Sequence, residues 1–428
     1  MKFIYYWRFV AVGLMLGFYL LGSGCRSYQK ATINWESVTA DLSGAATNII
    51  CMTRADARTC ALALNSDINV VRLRQLASQQ AVYAVGWWDD PAFNLDALRI
   101  LRSGLHPWII ASGLSLTLPL NGALGIEKLA ARAYERADVF AIKLRERALL
   151  TQVDEAWGQA WACEQRVAVV YKYYTRLELL EKRGDSLVAA GELAQDAQAP
   201  VAQESLNARL LHEQLVFEAK ACRKRLLRLM GLYPTAQINF DFSAPASLEP
   251  LLLPDEVKLI EHPRLQEKMA RLEVSEETLR AELRRQYPEL ALGPALGHEE
   301  GGVRLGLSLG VTLPLWNRNR RAIAKAEGER DIARHETLAE WRALVAELNE
   351  ARMALLSAEQ SARFISEQSL PVALAALSQN ERLFRLGESD VVTMMQTEKT
   401  LYETQNSALE AQLLVDQARS RAECLIVE

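Results

Sequence analysis

Between Val303 and Leu315 every odd-numbered residue is apolar: Val303, Leu305, Leu307, Leu309, Val311, Leu313 and Leu315. Every even-numbered residue is small or polar: Arg304, Gly306, Ser308, Gly310, Thr312 and Pro314. Strict period-two alternation predicts a β-strand with two unlike faces. At 13 residues the run is longer than a soluble strand of about 5–6. It exceeds the roughly 9–11 that cross a bilayer at a tilt. A soluble sandwich strand would share the alternation. The aromatics Trp87, Trp88, Tyr287 and Trp316 favour lipid, because they stand where the strands end and amphipathic rings belt the membrane–water interface of barrels.

The chain repeats itself. Leu116–Leu120 echoes Val311–Leu315, Ala63–Ile68 aligns with Ile260–Leu265, Asp90-Pro91 with Tyr287-Pro288, and Gly191-Glu192 with Gly387-Glu388, all at offsets of 195 to 197 residues. Four markers in one order indicate a tandem duplication. The expected repeats are 57–232 and 254–428, joined by a linker at 233–253. Each opens with a helix (Ala57 to Val85; Pro254 to Arg285), then a β-hairpin (92–120; 289–315), then a long helical hairpin. The first hairpin alternates less strictly: Trp108, Ile110, Leu114, Leu116, Leu118 and Leu120 form its apolar face, which Ser112 interrupts, and Phe93, Leu95 and Ala97 supply the preceding strand. Arg102–Pro107 and His298–Gly302 are the predicted hairpin tips.

The N-terminus sets the compartment. Lys2 and Arg8 precede the apolar run Phe9–Leu21, which is too short to span a bilayer as a helix. Gly22, Ser23, Gly24 and Cys25 follow. The pattern predicts a signal peptide at 1–24, lipidation of Cys25 as the first mature residue, and a lipid-anchored linker over 25–56. Gly22 stands where lipoproteins usually carry Leu, and an ordinary cleaved signal is the plainer alternative. Arg26 is compatible with outer-membrane sorting. No later stretch has 18 consecutive apolar residues, so a membrane-crossing part of the mature chain has to be a β-barrel. Four strands per chain cannot close one, which requires oligomerisation. Three copies would give twelve strands and a wide pore; two would give eight and a filled lumen.

From Asn121 to Arg183 and from Arg320 to Leu370 proline is absent and glycine sparse, predicting helices of roughly 75–95 Å. Turns are expected near Gly191 and Gly387. The return helix carries Met394, Thr397, Leu401, Thr404, Ala408, Ala411, Val415, Ala418, Ala422 and Leu425 at alternating spacings of three and four, a heptad seam. Leu409, Leu413 and Leu414 lie off it. Burial on two sides suits a wall of helices, although heptads alone also fit a plain coiled coil. The midpoint of Cys163 and Cys222 falls almost at the turn at Gly191, so antiparallel helices place them at similar height. A disulfide is allowed in an oxidising compartment; two buried free thiols are the alternative.

These residues resemble the outer-membrane efflux factor family, the TolC-like channels of tripartite export systems. Ala61–Asp67 is similar to the family's opening helix and Glu261–Leu265 to its second copy. Thr312–Arg320 resembles its strand-to-helix turn. Leu370-Pro371 with Leu383–Gly387 resembles the approach to the periplasmic tip. The resemblance implies a mostly α protein with membrane β structure: duplicated helical hairpins forming a periplasmic α-barrel, and four strands per chain of a shared trimeric twelve-stranded β-barrel. It implies a homotrimer meeting a periplasmic adaptor and an inner-membrane pump, with docking tips at Gly191 and at Arg385, Leu386 and Gly387. Gln396 stands where many members carry an acidic residue on the return helix. Glu388 and Asp390 could replace it, or Asp390 could simply cap that helix.

The remaining chemistry is sparse. His106, His212, His262, His298 and His335 show no metal-ligand spacing, and the cysteines no CxxC pair. No nucleophile motif or glycine-rich phosphate loop occurs, and no cofactor is expected. A net charge of −4 gives no support for nucleic-acid binding. The reading is a passive outer-membrane channel. The alternative is a periplasmic lipid-anchored coiled-coil structural or adaptor protein without a pore, which would not need duplicated membrane-length strands.

Overall fold

A computed structural model describes residue 28 and residues 30–36, 50–99, 108–242, 251, 253–299 and 302–426. The expected signal, Cys25, Arg26 and the hairpin tip Arg102–Pro107 lie outside the described residues. The architecture below belongs to the unit Ile49–Glu428.

The first repeat opens with β1 (Ile50–Met52) and two short helices, α1 (Arg54–Leu64) and α2 (Ser66–Ala84). α1 begins before the expected Ala57 because Thr53 and Asp56 form a capping box: the Asp56 carboxylate accepts from the Thr53 N–H at 3.0 Å. The single opening helix expected from 57 to 85 is broken at Asn65. The Asn65 amide oxygen accepts from the Asp67 N–H at 2.9 Å and starts a new helix there. The second repeat breaks at the equivalent point. A 3₁₀ turn (Glu256–Glu261) ends at His262, and α5 (Pro263–Arg284) follows with proline in its first turn, where a missing N–H costs nothing.

Between these openings run β2 (Ala92–Arg99), β3 (Trp108–Leu118), α3 (Ala123–Ala189), α4 (Gln195–Leu229) and β4 (Ile238–Phe240). α3 has 67 residues, about 100 Å at 1.5 Å per residue. After α5 come β5 (Leu290–Glu299), β6 (Gly302–Val311), α6 (Arg320–Phe364), a π turn (Ile365–Ser369), α7 (Leu370–Leu386) and α8 (Val391–Cys424). Arg320–Leu386 thus matches α3 in length, but it accommodates Pro371 through the π turn instead of breaking. A π turn just before a proline relieves the clash between its ring and the preceding turn.

The sheet order is β2-β3-β5-β6, antiparallel throughout. β1 pairs in parallel with β4, tying the start of the first repeat to the inter-repeat linker. Beneath that pair lies the main apolar cluster: Ala57, Ala61, Ile68, Val153, Trp157, Leu226 and Met230. Phe240 and Phe242 meet Trp157 edge-on at 5.7 and 5.0 Å. A second cluster near the tips joins the two hairpins through Leu180, Val201, Leu377, Val391 and Met394. No helix among the described residues is long and apolar enough to cross a membrane.

Candidate functional site

The register carries the apolar alternation across all four strands. Leu95 pairs with Ser112, Ser112 with Leu296, and Leu296 with Leu305. Leu116, Leu292 and Leu309 form another row, and Leu118, Leu290 and Val311 a third. The other face is small or polar: Ala111, Gly297 and Arg304 in one row, Gly113, Ala295 and Gly306 in the next. Ser112 is the polar member of the apolar face. Leu305 is 78% and Leu307 71% exposed, part of a contiguous apolar patch of the kind that marks a membrane or protein contact surface. Among the described residues the outer strands β2 and β6 each have a neighbouring strand on one side only, so each presents an edge that a further strand could join. Since the strands alternate in direction, β6 of one copy and β2 of another would continue the antiparallel order.

The aromatics Trp87, Trp88, Tyr287 and Trp316 are all exposed, beside the ends of the strands. Trp87 donates its indole N–H to the Tyr83 carbonyl at 2.9 Å. The turn from sheet to long helix uses left-handed backbone in both repeats: Gly122 at φ 72° and Asn319 at φ 54°. Asn is one of the few side-chain-bearing residues that tolerate this region. The Asn319 amide donates to the Glu282 carbonyl at 2.9 Å and to its carboxylate at 2.6 Å. Arg285 bridges Glu282 and Glu127 at 2.6 Å each. The motif around Trp316–Arg320 is therefore a turn that fastens the sheet to the helices.

At the far ends, Gly191 (φ 76°) and Gly387 (φ 77°) both take the left-handed conformation that ends a helix. Space around both is open. Arg385 and Leu386 are exposed, Arg385 lying 3.7 Å from Glu381. Asp390 caps α8, accepting from the Thr393 N–H at 3.0 Å; that hydrogen bond, opposed by slight burial, lowers the carboxyl below its ordinary value. Glu388 is exposed next to it. The Arg183 guanidinium lies 4.7 Å above the Phe384 ring, so one hairpin tip braces the other.

Each tip is closed by a buried amide that sequence reasoning did not single out. Gln198 donates to the Glu181 carbonyl and the Asp185 carboxylate at 3.0 Å each, packed so closely on Gly184 that a Cβ there would overlap it. Asn380 donates to the Thr393 carbonyl and the Thr397 hydroxyl and accepts from Ser389 at 2.6 Å. Higher up, Arg176 pairs with the buried Glu398, Lys399 pairs with Glu204 at 3.1 Å, and Tyr173 stacks on Tyr402 at 4.7 Å. Burial raises Glu398, against the pull of Arg176. Cys163 and Cys222 face each other across α3 and α4, both as thiols, with their Sγ atoms 2.7 Å apart.

A further cluster went unread. Arg54 donates to Asp154 at 2.9 Å, to Asp416 at 2.8 Å and to the Ser420 hydroxyl at 3.1 Å. Both carboxylates are almost fully buried. These bonds fasten α1 to the long helix of one repeat and the return helix of the other. No local pattern signals them, because the partners lie far apart in sequence.

Residues 256–422 match the sequence profile of the family described as outer membrane efflux protein. No curated protein matches the chain in sequence. Among solved structures, the outer-membrane channel OprN superposes with a TM-score of 0.76 at 16% identity, over 87% of this chain and 89% of OprN. The open-state outer-membrane channel MtrE of Neisseria gonorrhoeae gives 0.73 at 17%, over 87% and 88%. The outer membrane protein VceC of Vibrio cholerae gives 0.72 at 14%, over 87% and 95%. At such identities these likenesses establish the fold.

Proposed function

We propose that this chain, whose residues 256–422 match the outer membrane efflux protein family and whose fold is that of the outer-membrane channels, is the passive outer-membrane conduit of a tripartite efflux system. The observation that carries the reading is the four-stranded sheet. One face is apolar and largely exposed, the other small or polar, and among the described residues neither edge strand has a second strand beside it. In lipid an open edge leaves hydrogen-bonding groups unpaired, so the sheet is completed by copies of itself. Three copies give a twelve-stranded barrel wide enough to hold water. The long hairpins of the same three copies then wall a tunnel below it, about 100 Å long.

Arg385, Leu386 and Gly387 at one tip, and Gly191 at the other, are the surfaces offered to a periplasmic adaptor, which links the channel to an inner-membrane pump. The first tip has Ala189-Ala190-Gly191 where the second has Arg385-Leu386-Gly387, so the two dock unequally. Glu388, with Asp390 as the cap of its helix, supplies the acidic charge beside the second tip. The four aromatics mark the membrane–water boundary. The conduit does no chemistry of its own; energy for transport comes from the pump. Cys25 is the lipidated N-terminus, and three acyl chains at about 0.8 kcal/mol per buried CH₂ anchor it permanently.

The test is export in cells lacking this chain. Loss of efflux with the adaptor and pump still present, restored by the wild-type chain, supports the conduit; unchanged efflux contradicts it. Mass spectrometry of the mature N-terminus tests the anchor: a triacylated Cys25 is expected, and an unmodified terminus or cleavage elsewhere refutes it.

A further inference from the structure

The first helical hairpin carries two thiols that nothing in the channel reading uses. Cys163 lies on α3 and Cys222 on α4, 26 residues before the end of α3 and 27 after the start of α4. At 1.5 Å per residue both stand about 40 Å above the tip. Their sulfurs are 2.7 Å apart, a small movement from the about 2.05 Å of a disulfide. The next residues along, Glu164 and Arg223, form an ion pair across the same two helices, which fixes their register at this height. Cys163 is buried and also accepts from the Gln159 amide at 3.8 Å, while Cys222 is half-buried. Cys60, by contrast, points at the Met230 carbonyl.

We infer that Cys163 and Cys222 are oxidised to a disulfide that staples the first helical hairpin in the mature protein. This rests on the outer-membrane reading only for the oxidising compartment. The oxidant is a protein disulfide of the periplasmic oxidase class. The more accessible Cys222 attacks it as thiolate, forming a mixed disulfide and releasing one oxidant sulfur. Cys163 then loses its proton and attacks the Cys222 sulfur; the second oxidant sulfur leaves, and the two electrons end in the oxidant's dithiol. The hydrogen bond between the two thiols favours this order, since it lowers Cys222 and, together with burial, raises Cys163.

The staple is confined to one repeat. Glu359 and Ala418 stand at the corresponding positions of the second hairpin, which instead contains the π turn Ile365–Ser369. Below the bond α3 and α4 cannot slide past one another, so the first hairpin swings as one piece, whereas the second can bend.

The test uses full-length protein from cells lysed with a thiol-blocking alkylator present, followed by peptide mapping without reduction. A single linked species containing Cys163 and Cys222, two hydrogens lighter than the separate peptides, is the expected result. Alkylation of both thiols, or linkage of either to another cysteine, overturns the staple. Recovery of the chain outside the outer-membrane fraction counts against the channel reading; mapping in whichever fraction holds it still decides the staple. As a second readout, a phosphine reductant should lower the thermal midpoint of the wild-type assembly and leave a Cys163→Ser/Cys222→Ser double variant unmoved. Equal response of the two overturns the stabilising role.

Discussion

Asn65 and His262 do the same work at equivalent points of the two repeats. Asn65 accepts from the Asp67 N–H and donates to the Leu229 carbonyl, each at 2.9 Å. The His262 ring accepts through Nδ1 from the Arg264 N–H at 3.2 Å and donates through Nε2 to the Cys424 carbonyl at 3.2 Å. Each residue starts a helix and fastens it to the end of its repeat's return helix, α4 or α8. The roles assign the neutral Nε2–H tautomer to His262.

That difference in chemistry makes the His262 joint sensitive to protonation, whereas the Asn65 joint has no proton to gain. Burial lowers His262 from its ordinary 6.5, outweighing the help of the Cys424 carbonyl. Protonation would put a hydrogen on Nδ1, facing the Arg264 N–H. A depressed pKa contributes stability that is fully present above pH 6.5 and is lost as pH falls through the folded value. The thermal midpoint of the wild-type assembly should therefore fall on acidification more steeply than that of His262→Asn, which keeps a cap but has no proton to gain. Parallel profiles would refute the role.

Arg54 holds two buried carboxylates at once. Arg54→Ala would leave Asp154 and Asp416 without their main partner, and breaking buried pairs costs about 3–5 kcal/mol. With 31% of the Arg54 side chain exposed, the lower end, about 3 kcal/mol, is expected. Denaturant unfolding measures it. Adding Asp154→Asn and Asp416→Asn to Arg54→Ala should recover part of the loss; no recovery would mean the arginine acts through packing alone.

Leu307 and Ser308 are neighbours on opposite faces of β6. Asp at Leu307 places a charge on the apolar face, at a cost of up to about 2 kcal/mol per chain if that face meets the lipid midplane. Leu307→Asp should reduce the assembled channel in the outer-membrane fraction, and Ser308→Asp, in a water-filled lumen, should not. Equal effects would contradict the assignment of faces.

Arg385 stands exposed at the tip, 3.7 Å from Glu381. An exposed pair of this kind contributes little to stability, so reversing the charge tests docking and not folding. Arg385→Glu should lower export while channel abundance in the outer membrane stays at the wild-type level. Unchanged export would remove Arg385 from the adaptor surface.

Period-two alternation is a local property, so β6 was legible in the sequence, although the strand ends at Val311 and the alternating Thr312–Leu315 run on beyond it; that Ser112 interrupts the apolar face was legible too, but not the register that pairs it with Leu95 and Leu296. The duplication aligned Asn65 with His262, yet two such unlike side chains gave no hint of a shared task. The apolar pattern runs through Asn65, which made one helix of α1 and α2; the cap signal of Asn65, Ser66 and Asp67 was the clue to the break. The π turn reflects a proline that tertiary packing keeps within a long helix. The Arg54 cluster joins positions 100 and 362 residues apart, beyond the reach of any periodic or motif-based reading. The amides of Gln198 and Asn380 likewise matter only once two helices have met.

The central claim is that one chain supplies a third of a membrane barrel. Native mass spectrometry of the assembly extracted from outer membranes in mild detergent tests it most directly, by counting chains. The account predicts three copies that migrate together on gels until heated and then separate. A monomer, a dimer, or an assembly recovered from the soluble periplasm would contradict it.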